Sequence, residues 1–276
     1  MPRPAAPAAL LPERLSAGRQ QHLIDCPYRF FASSCLRLEP PEEIVEALQK
    51  SDYGERVHLC LQAFHGGAAG LPGPFGHALT ENHRGAAIAL LEEIAQRVFA
   101  KDLEDNFLHR GWLKRWLALI PAYVDWQIAR ARDWAVTQTE LGLERELVPG
   151  LTLSGRIDRL DRAGEAAALI DYKTGASATQ EEVESGEAVQ LTSYALLIDN
   201  VRRVEYLQLD ARQQVKSGAS LEGEALDALR QAVGERLVTL HHALREGATL
   251  PAWGDRRTCR YCEMSGVCRR AAWEED

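Results

Sequence analysis

Asp158, Asp171 and Lys173 are of the types, and at the spacing, that could do chemistry. They lie in LSGRIDRLDR and ALIDYKTG, and DRAGEA between these segments reads as a turn joining two strands. With the turn centred between Gly164 and Glu165, Asp158 and Asp171 are equidistant from it. They are then a direct cross-strand pair on one face, with Cβ atoms about 5 Å apart. Lys173 takes the next position on that face. Two carboxylates so close repel by roughly 3 kcal/mol at an effective dielectric of about 20. A divalent cation between them removes that cost, and oxygen ligands at this separation suit Mg²⁺ or Mn²⁺. Such a cation acidifies water and grips a phosphate oxygen. Lys173 would hold the attacking water or the charge developing on the phosphate. A plain surface ion pair between Lys173 and one aspartate is the competing account of D-x-K, and the register match weighs against it.

A second cluster is the trio Cys259-x2-Cys262-x5-Cys268. Cys-x2-Cys lets two thiolates reach one metal, and a trio needs a fourth ligand. Cys26, Cys35 and Cys60 are the remaining cysteines. No export signal is visible, so reduced thiols in a cytoplasmic protein are expected.

The residues also carry a resemblance. GRIDRLD followed by IDYKTG resembles the central motif of the PD-(D/E)XK nucleases, specifically the RecB-like, Cas4-like branch. QLTSY, from Gln190 to Tyr194, matches the Q-x-x-x-Y helix motif of that branch, and YGERVH, ending at His58, resembles the helix whose histidine completes its metal site. LIDCPYRFF around Cys26 looks like the start of the iron–sulfur nucleases of the same branch.

The resemblance implies an α/β fold of the restriction-endonuclease type, with a small mixed sheet flanked by helices. It implies His58, Asp158, Asp171 and the backbone carbonyl of Tyr172 as metal ligands and Lys173 as the catalytic lysine. Gln190 and Tyr194 would contact DNA or brace the site. Cys26, Cys259, Cys262 and Cys268 would hold a [4Fe–4S] cluster, with zinc as the alternative, and would staple the chain ends together. Cys35 and Cys60 are expected as buried apolar residues. Two choices stay open. His65 rivals His58 on a similar helix face, and Glu140, Glu144 and Glu146 compete for an upstream acidic position. The proline of the eponymous motif is absent, Ile157 standing before Asp158.

The implied activity is metal-dependent hydrolysis of phosphodiester bonds, chiefly in single-stranded DNA, by an exonuclease of repair, recombination or defence. The alternative is a catalytically silent DNA-binding or scaffolding module. The resemblance also admits a helicase, fused or bound, as a partner; this chain itself has no GxxxxGK[ST] phosphate loop.

The elements that must position these residues follow from periodicity. Residues 1–15 read as a flexible Pro/Ala-rich arm and 16–276 as a single nuclease domain. Within it, 16–140 form a helical region, 141–215 the catalytic core, and 216–276 the C-terminal helix and cluster segment. Helices are expected over 16–38, capped by Ser16 and interrupted near Cys26-Pro27, over 42–66, and over 84–136, kinked or divided by Pro121. Trp112, Trp116, Leu119, Tyr123 and Trp126 fall at helical spacing and read as core. Strands are expected over 143–149, 151–162, 166–174 and 204–210. Helices follow over 187–199 and over 222–246, the latter ending at Gly247, and the closing segment from Pro251 reads as irregular.

The chain has 276 residues and a formal net charge of −8, which argues against coating nucleic acid through bulk charge. Arg256, Arg257, Arg260, Arg269 and Arg270 nevertheless cluster near the C-terminus, as either a solvated face or a DNA-backbone contact. No run of apolar residues is long enough to span a membrane.

Overall fold

A glycine turn sets the register of the central hairpin. Gly164 takes φ +58° between paired Ala163 and Ala166, a conformation that costs glycine little and suits a two-residue hairpin. From there Arg162 pairs with Ala167, Asp161 with Ala168, Leu160 with Leu169 and Arg159 with Ile170. The paired ladder stops there, and Asp158 and Asp171 are the next residues outward on the two strands.

The computed structural model describes residues 1–40, 50–105, 109–210 and 214–273. The expected helix start at 42 and the extreme C-terminus lie outside these residues. Among the described residues, six strands form one mixed sheet. They are β1 (Arg14–Ser16), β2 (Ala135–Val148), β3 (Leu151–Ala163), β4 (Ala166–Lys173), β5 (Val201–Asp210) and β6 (Gln214–Glu222). β3 is the pivot. β2 runs antiparallel along one edge, while the other edge takes β1 in parallel at Thr152–Ser154 and β4 antiparallel at Arg159–Ala163. β5 then pairs parallel to β4 and β6 antiparallel to β5.

Helices cover both faces. On one face α1 (Ala17–Asp25), α7 (Gln190–Leu197) and α8 (Gly223–Arg245) share an apolar core with Leu153, Ile157, Leu169 and Val204. On the other face α3 (Lys50–Gly66), α4 (Arg84–Asp105) and α5 (Arg110–Arg130) pack on Ile170, Tyr172, Leu207 and Leu209. Short helices α2 (Pro27–Phe30), α6 (Gln180–Glu184), α9 (Arg256–Arg260) and α10 (Ser265–Cys268) complete the chain. Among the described residues, no helix is long and apolar enough to cross a membrane.

Several elements differ from expectation. The N-terminal arm is tied down rather than free: β1 begins at Arg14, Leu250 N–H donates to Pro4 O (2.6 Å), and Ala252 N–H donates to Pro2 O (3.1 Å). These bonds satisfy backbone groups that periodicity within 1–15 does not reveal. β2 starts at Ala135, inside the segment read as helix, because this half-exposed edge strand carries few apolar residues to mark its alternation. β6 and α6 were not anticipated. Pro121 sits inside an uninterrupted α5 rather than dividing it. Trp116, Leu119 and Tyr123 are buried, and Trp112 and Trp126 pack against them. The closing segment is partly helical.

Behind the hairpin lies a buried ionic network. Arg159 is fully buried and donates to both carboxylate oxygens of Asp161 (2.6 and 3.0 Å) and to Gln127 Oε1 (2.6 Å). Arg130 reaches Asp161 (2.5 Å) and Glu205 (2.6 Å). Charges buried this deeply persist only when paired, so the network locks α5, β3 and β5 into one arrangement.

Candidate active site and cysteine-lined cavity

The alternation of β3 breaks between Ile157 and Leu160, which both enter the same core. At this break the ladder ends and a side chain takes over: the backbone N–H of Tyr172 donates to Asp158 Oδ2 (2.7 Å). On β2, Glu140 lies between the pairs Thr139–Arg159 and Leu141–Ile157, and takes φ +51°. For a non-glycine residue that is an unfavourable backbone state, and here it accompanies a side chain brought to Asp158. α3 presents His58 from the other face. His58 Nδ1 lies 3.5 Å from Asp158 Oδ1 and 3.8 Å from Glu140 Oε1, and its Nε2 is 3.1 Å from Tyr172 O.

His58, Glu140 and Asp158 each bring one ligand atom within 4.8 Å of the others. An imidazole and two carboxylates at this separation suit a divalent cation. Glu140 is therefore the acidic residue brought to the site. Glu144 instead pairs with Arg14 on the surface (3.0 Å), and Glu146 is exposed. The choice between histidines resolves too. His65 belongs to the buried network, with Nε2 2.6 Å from Tyr123 Oη, and burial together with Arg159 holds its pKa well below the ordinary value.

Charge is concentrated here and only partly compensated. Burial and then Asp158 push the Asp171 carboxyl up, partly countered by Lys173. Burial likewise raises Glu140, with Asp158 adding and Arg156 (2.6 Å) opposing. Burial pulls His58 down, but its hydrogen bond to Asp158 and the surrounding carboxylates outweigh that and raise it to about 8. Such opposed shifts follow from crowding carboxylates and an imidazole into one largely buried place.

Lys173 and Gln190 form the second half of the site. Lys173 Nζ lies 2.6 Å from Asp171 Oδ2 and donates to Gln190 Oε1 (2.9 Å). Gln190 Nε2 donates to Asp171 Oδ1 (2.8 Å) and to Tyr194 Oη (3.1 Å). Gln190 thus braces both charged residues. Tyr194 is buried, and its ring packs where a Cβ on Gly155 would come within 3.0 Å. It is a brace, not an exposed stacking surface. Gly155 lets α7 approach β3 that closely. Tyr206, paired with Asp171 across β4 and β5, was not singled out in the sequence; its ring lies 5.1 Å from Lys173 Nζ. Nothing in its strand marks it apart from ordinary alternation.

The cysteines converge at a separate place. Cys26 precedes Pro27, which ends α1 and starts α2, leaving Cys26 extended at φ −161°. Cys26, Cys259, Cys262 and Cys268 line one cavity of about 400 Å³. Gly254 closes it, since a Cβ there would lie 3.2 Å from both Cys259 Sγ and Cys26 Cβ. Arg29 clamps Glu263 through two bonds (2.9 and 2.8 Å), and Arg270 donates to Cys259 Sγ (2.8 Å). Burial raises the Cys262 and Cys268 thiols, and the other three sulfurs add to the shift at Cys268. Cys35, raised to about 11 by burial, and Cys60 are buried elsewhere.

A mixed sheet flanked by helices, with an Asp…Asp-x-Lys hairpin braced by a glutamine, has the layout of a nuclease core. The chain belongs to the PD-(D/E)XK nuclease superfamily, whose family model matches residues 14–269. It is 25% identical over 198 residues to an uncharacterized protein of Rickettsia bellii and 24% identical over 200 residues to one of Rickettsia conorii. These matches cover 70% and 68% of this chain but only 22% of each relative, so the chain spans about a fifth of their length. A solved structure from Eubacterium rectale, provisionally assigned as an exonuclease, superposes with a TM-score of 0.49 at 12% identity, covering 96% of this chain and 90% of that one.

Proposed function

We propose that this chain is a Mg²⁺- or Mn²⁺-dependent nuclease domain that hydrolyses phosphodiester bonds of single-stranded DNA. The observation that carries the proposal is the convergence of His58, Glu140 and Asp158 within 4.8 Å, beside the Asp171–Lys173 pair. His58, Glu140, Asp158 and Asp171 would hold the cation, with the Tyr172 carbonyl alongside. When bound, such a cation makes water acidic enough to attack at neutral pH and offsets charge on the phosphate. Lys173, held by Gln190 at the mouth of the site, supplies a cation to the phosphate and a donor to the attacking oxygen. Tyr206 and Tyr194 fix the geometry of that pair.

The four cysteines are proposed to hold a [4Fe–4S] cluster. Their cavity of about 400 Å³ is large for a single ion. Among the described residues, the His/Cys/Asp/Glu group close enough to share one ion is His58, Glu140 and Asp158. The cluster would supply cross-linking: it ties α2 to the C-terminal segment, worth up to about 5 kcal/mol by analogy with a long disulfide loop. Strand opening would come from a helicase, fused or bound, in repair, recombination or defence.

The test is cleavage of labelled single-stranded and blunt duplex oligonucleotides with Mn²⁺, Mg²⁺ or chelator. Metal-dependent cutting of single strands supports the proposal. Tight metal binding without cutting would instead favour a silent DNA-binding module.

A further inference from the structure

One groove of about 1010 Å³ is lined by Lys173 and Gln190 and also by Trp253 and Arg257. Trp253 is 62% exposed, whereas Trp116 is fully buried. A lone exposed apolar residue is ordinary. An exposed indole in the same groove as Lys173 is not.

Charge decides how a strand could lie there. Asp25, Glu182, Glu187 and Asp255 line the groove together with Lys173 and Arg257, and Arg257 offsets Glu182 at 2.5 Å. Walls of mixed and partly paired charge offer little net attraction to a row of phosphates. A base stacked on the exposed indole is then the contact that such a groove can offer a strand. Paired duplex cannot present bases that way, and a single strand can.

We propose that this groove holds the single-stranded flank of the nucleic acid being cut, and that Trp253 positions it by stacking on a base. The placement holds only if the chain is the nuclease proposed. Trp253 then governs grip on the strand, not the chemical step.

The experiment uses the full chain and labelled oligo(dT) of graded length. Binding is read by anisotropy in the non-cutting Lys173→Ala background, and cleavage with Mn²⁺ in the otherwise wild-type chain. Trp253→Ala is expected to weaken binding and raise KM by about 5- to 150-fold, leaving kcat and melting temperature unchanged. Trp253→Phe, which keeps a ring, should retain most of the affinity. The penalty should vanish on oligonucleotides too short to reach the groove. Because stacking releases no counterions, Trp253→Ala should leave the salt dependence of binding unchanged, whereas Arg257→Ala should lower its slope by about 0.7. Wild-type cleavage with unchanged binding and KM in Trp253→Ala would overturn the inference and spare the nuclease assignment. So would an equal loss in Trp253→Phe at unchanged melting temperature. Wild-type protein that neither binds nor cuts single strands would overturn both.

Discussion

The backbone N–H of Tyr172 donates to the carboxylate of Asp158 at 2.7 Å, so one aspartate both caps the end of the β3–β4 ladder and stands beside His58 and Glu140. Asp158→Ala removes a ligand and leaves a buried N–H without its partner, at about 1–3 kcal/mol. Cleavage is expected to fall at least about a hundredfold, with Mn²⁺ affinity reduced in a calorimetric titration. Full activity in this variant would refute the assigned role.

Lys173 separates chemistry from metal binding. Lys173→Ala should abolish cleavage, by about a hundredfold or more, while Mn²⁺ still binds. Gln190→Ala should act in the same direction more weakly, because Gln190 holds Lys173 and Asp171 without being the cation itself. A Lys173→Ala protein that cuts as well as wild type would remove the lysine from the mechanism.

The raised groups give a pH signature. His58, raised to about 8, and Asp171, raised by burial and Asp158, both bind protons more tightly folded than unfolded. The stability each contributes is present below its unfolded pKa and is lost as pH rises through its folded pKa. Metal-free protein should therefore lose about 1–2 kcal/mol between pH 6 and pH 8 from His58 alone. A cation needs deprotonated ligands, so Mn²⁺ should raise the melting temperature more at pH 8 than at pH 6. A Mn²⁺ effect that shrinks with rising pH would contradict this.

Anaerobically purified protein should be brown, with about four irons per chain. Alanine at Cys26, Cys259, Cys262 or Cys268 should bleach it and lower stability, while Cys35→Ala and Cys60→Ala should keep the colour. A colourless protein with one tightly held zinc would sink the iron–sulfur assignment.

A preference for single strands is the outcome expected of this chain assayed by itself. With no nucleotide-binding loop and a net charge of −8, it has little to offset the cost of opening duplex, about 1.4 kcal/mol per base-pair step. Single strands should be cut at least about tenfold faster than blunt duplex. Equal or faster cutting of duplex would overturn the preference.

How much was legible in the sequence depended on distance along the chain. Asp158, Asp171 and Lys173 could be aligned from residue types because a single two-residue turn at Gly164 relates them, and hairpin register is a local property. Ser16 as a helix cap, borne out by its bond from Arg19 N–H (3.3 Å), was local in the same sense. Other choices were not local. Glu140, Glu144 and Glu146 alternate along one strand with equal claims, and only the irregular backbone at Glu140 beside α3 brings one of them to His58. His58 and His65 share a helix face, and what separates them is a fully buried arginine from β3 packed against the second. The anchored N-terminal arm, the cavity shared by Cys26 and the distant cysteine trio, and the groove joining Trp253 to Lys173 all depend on packing between segments far apart in sequence. Periodicity reports which face of an element is apolar; which other element covers that face is decided only when the chain closes on itself.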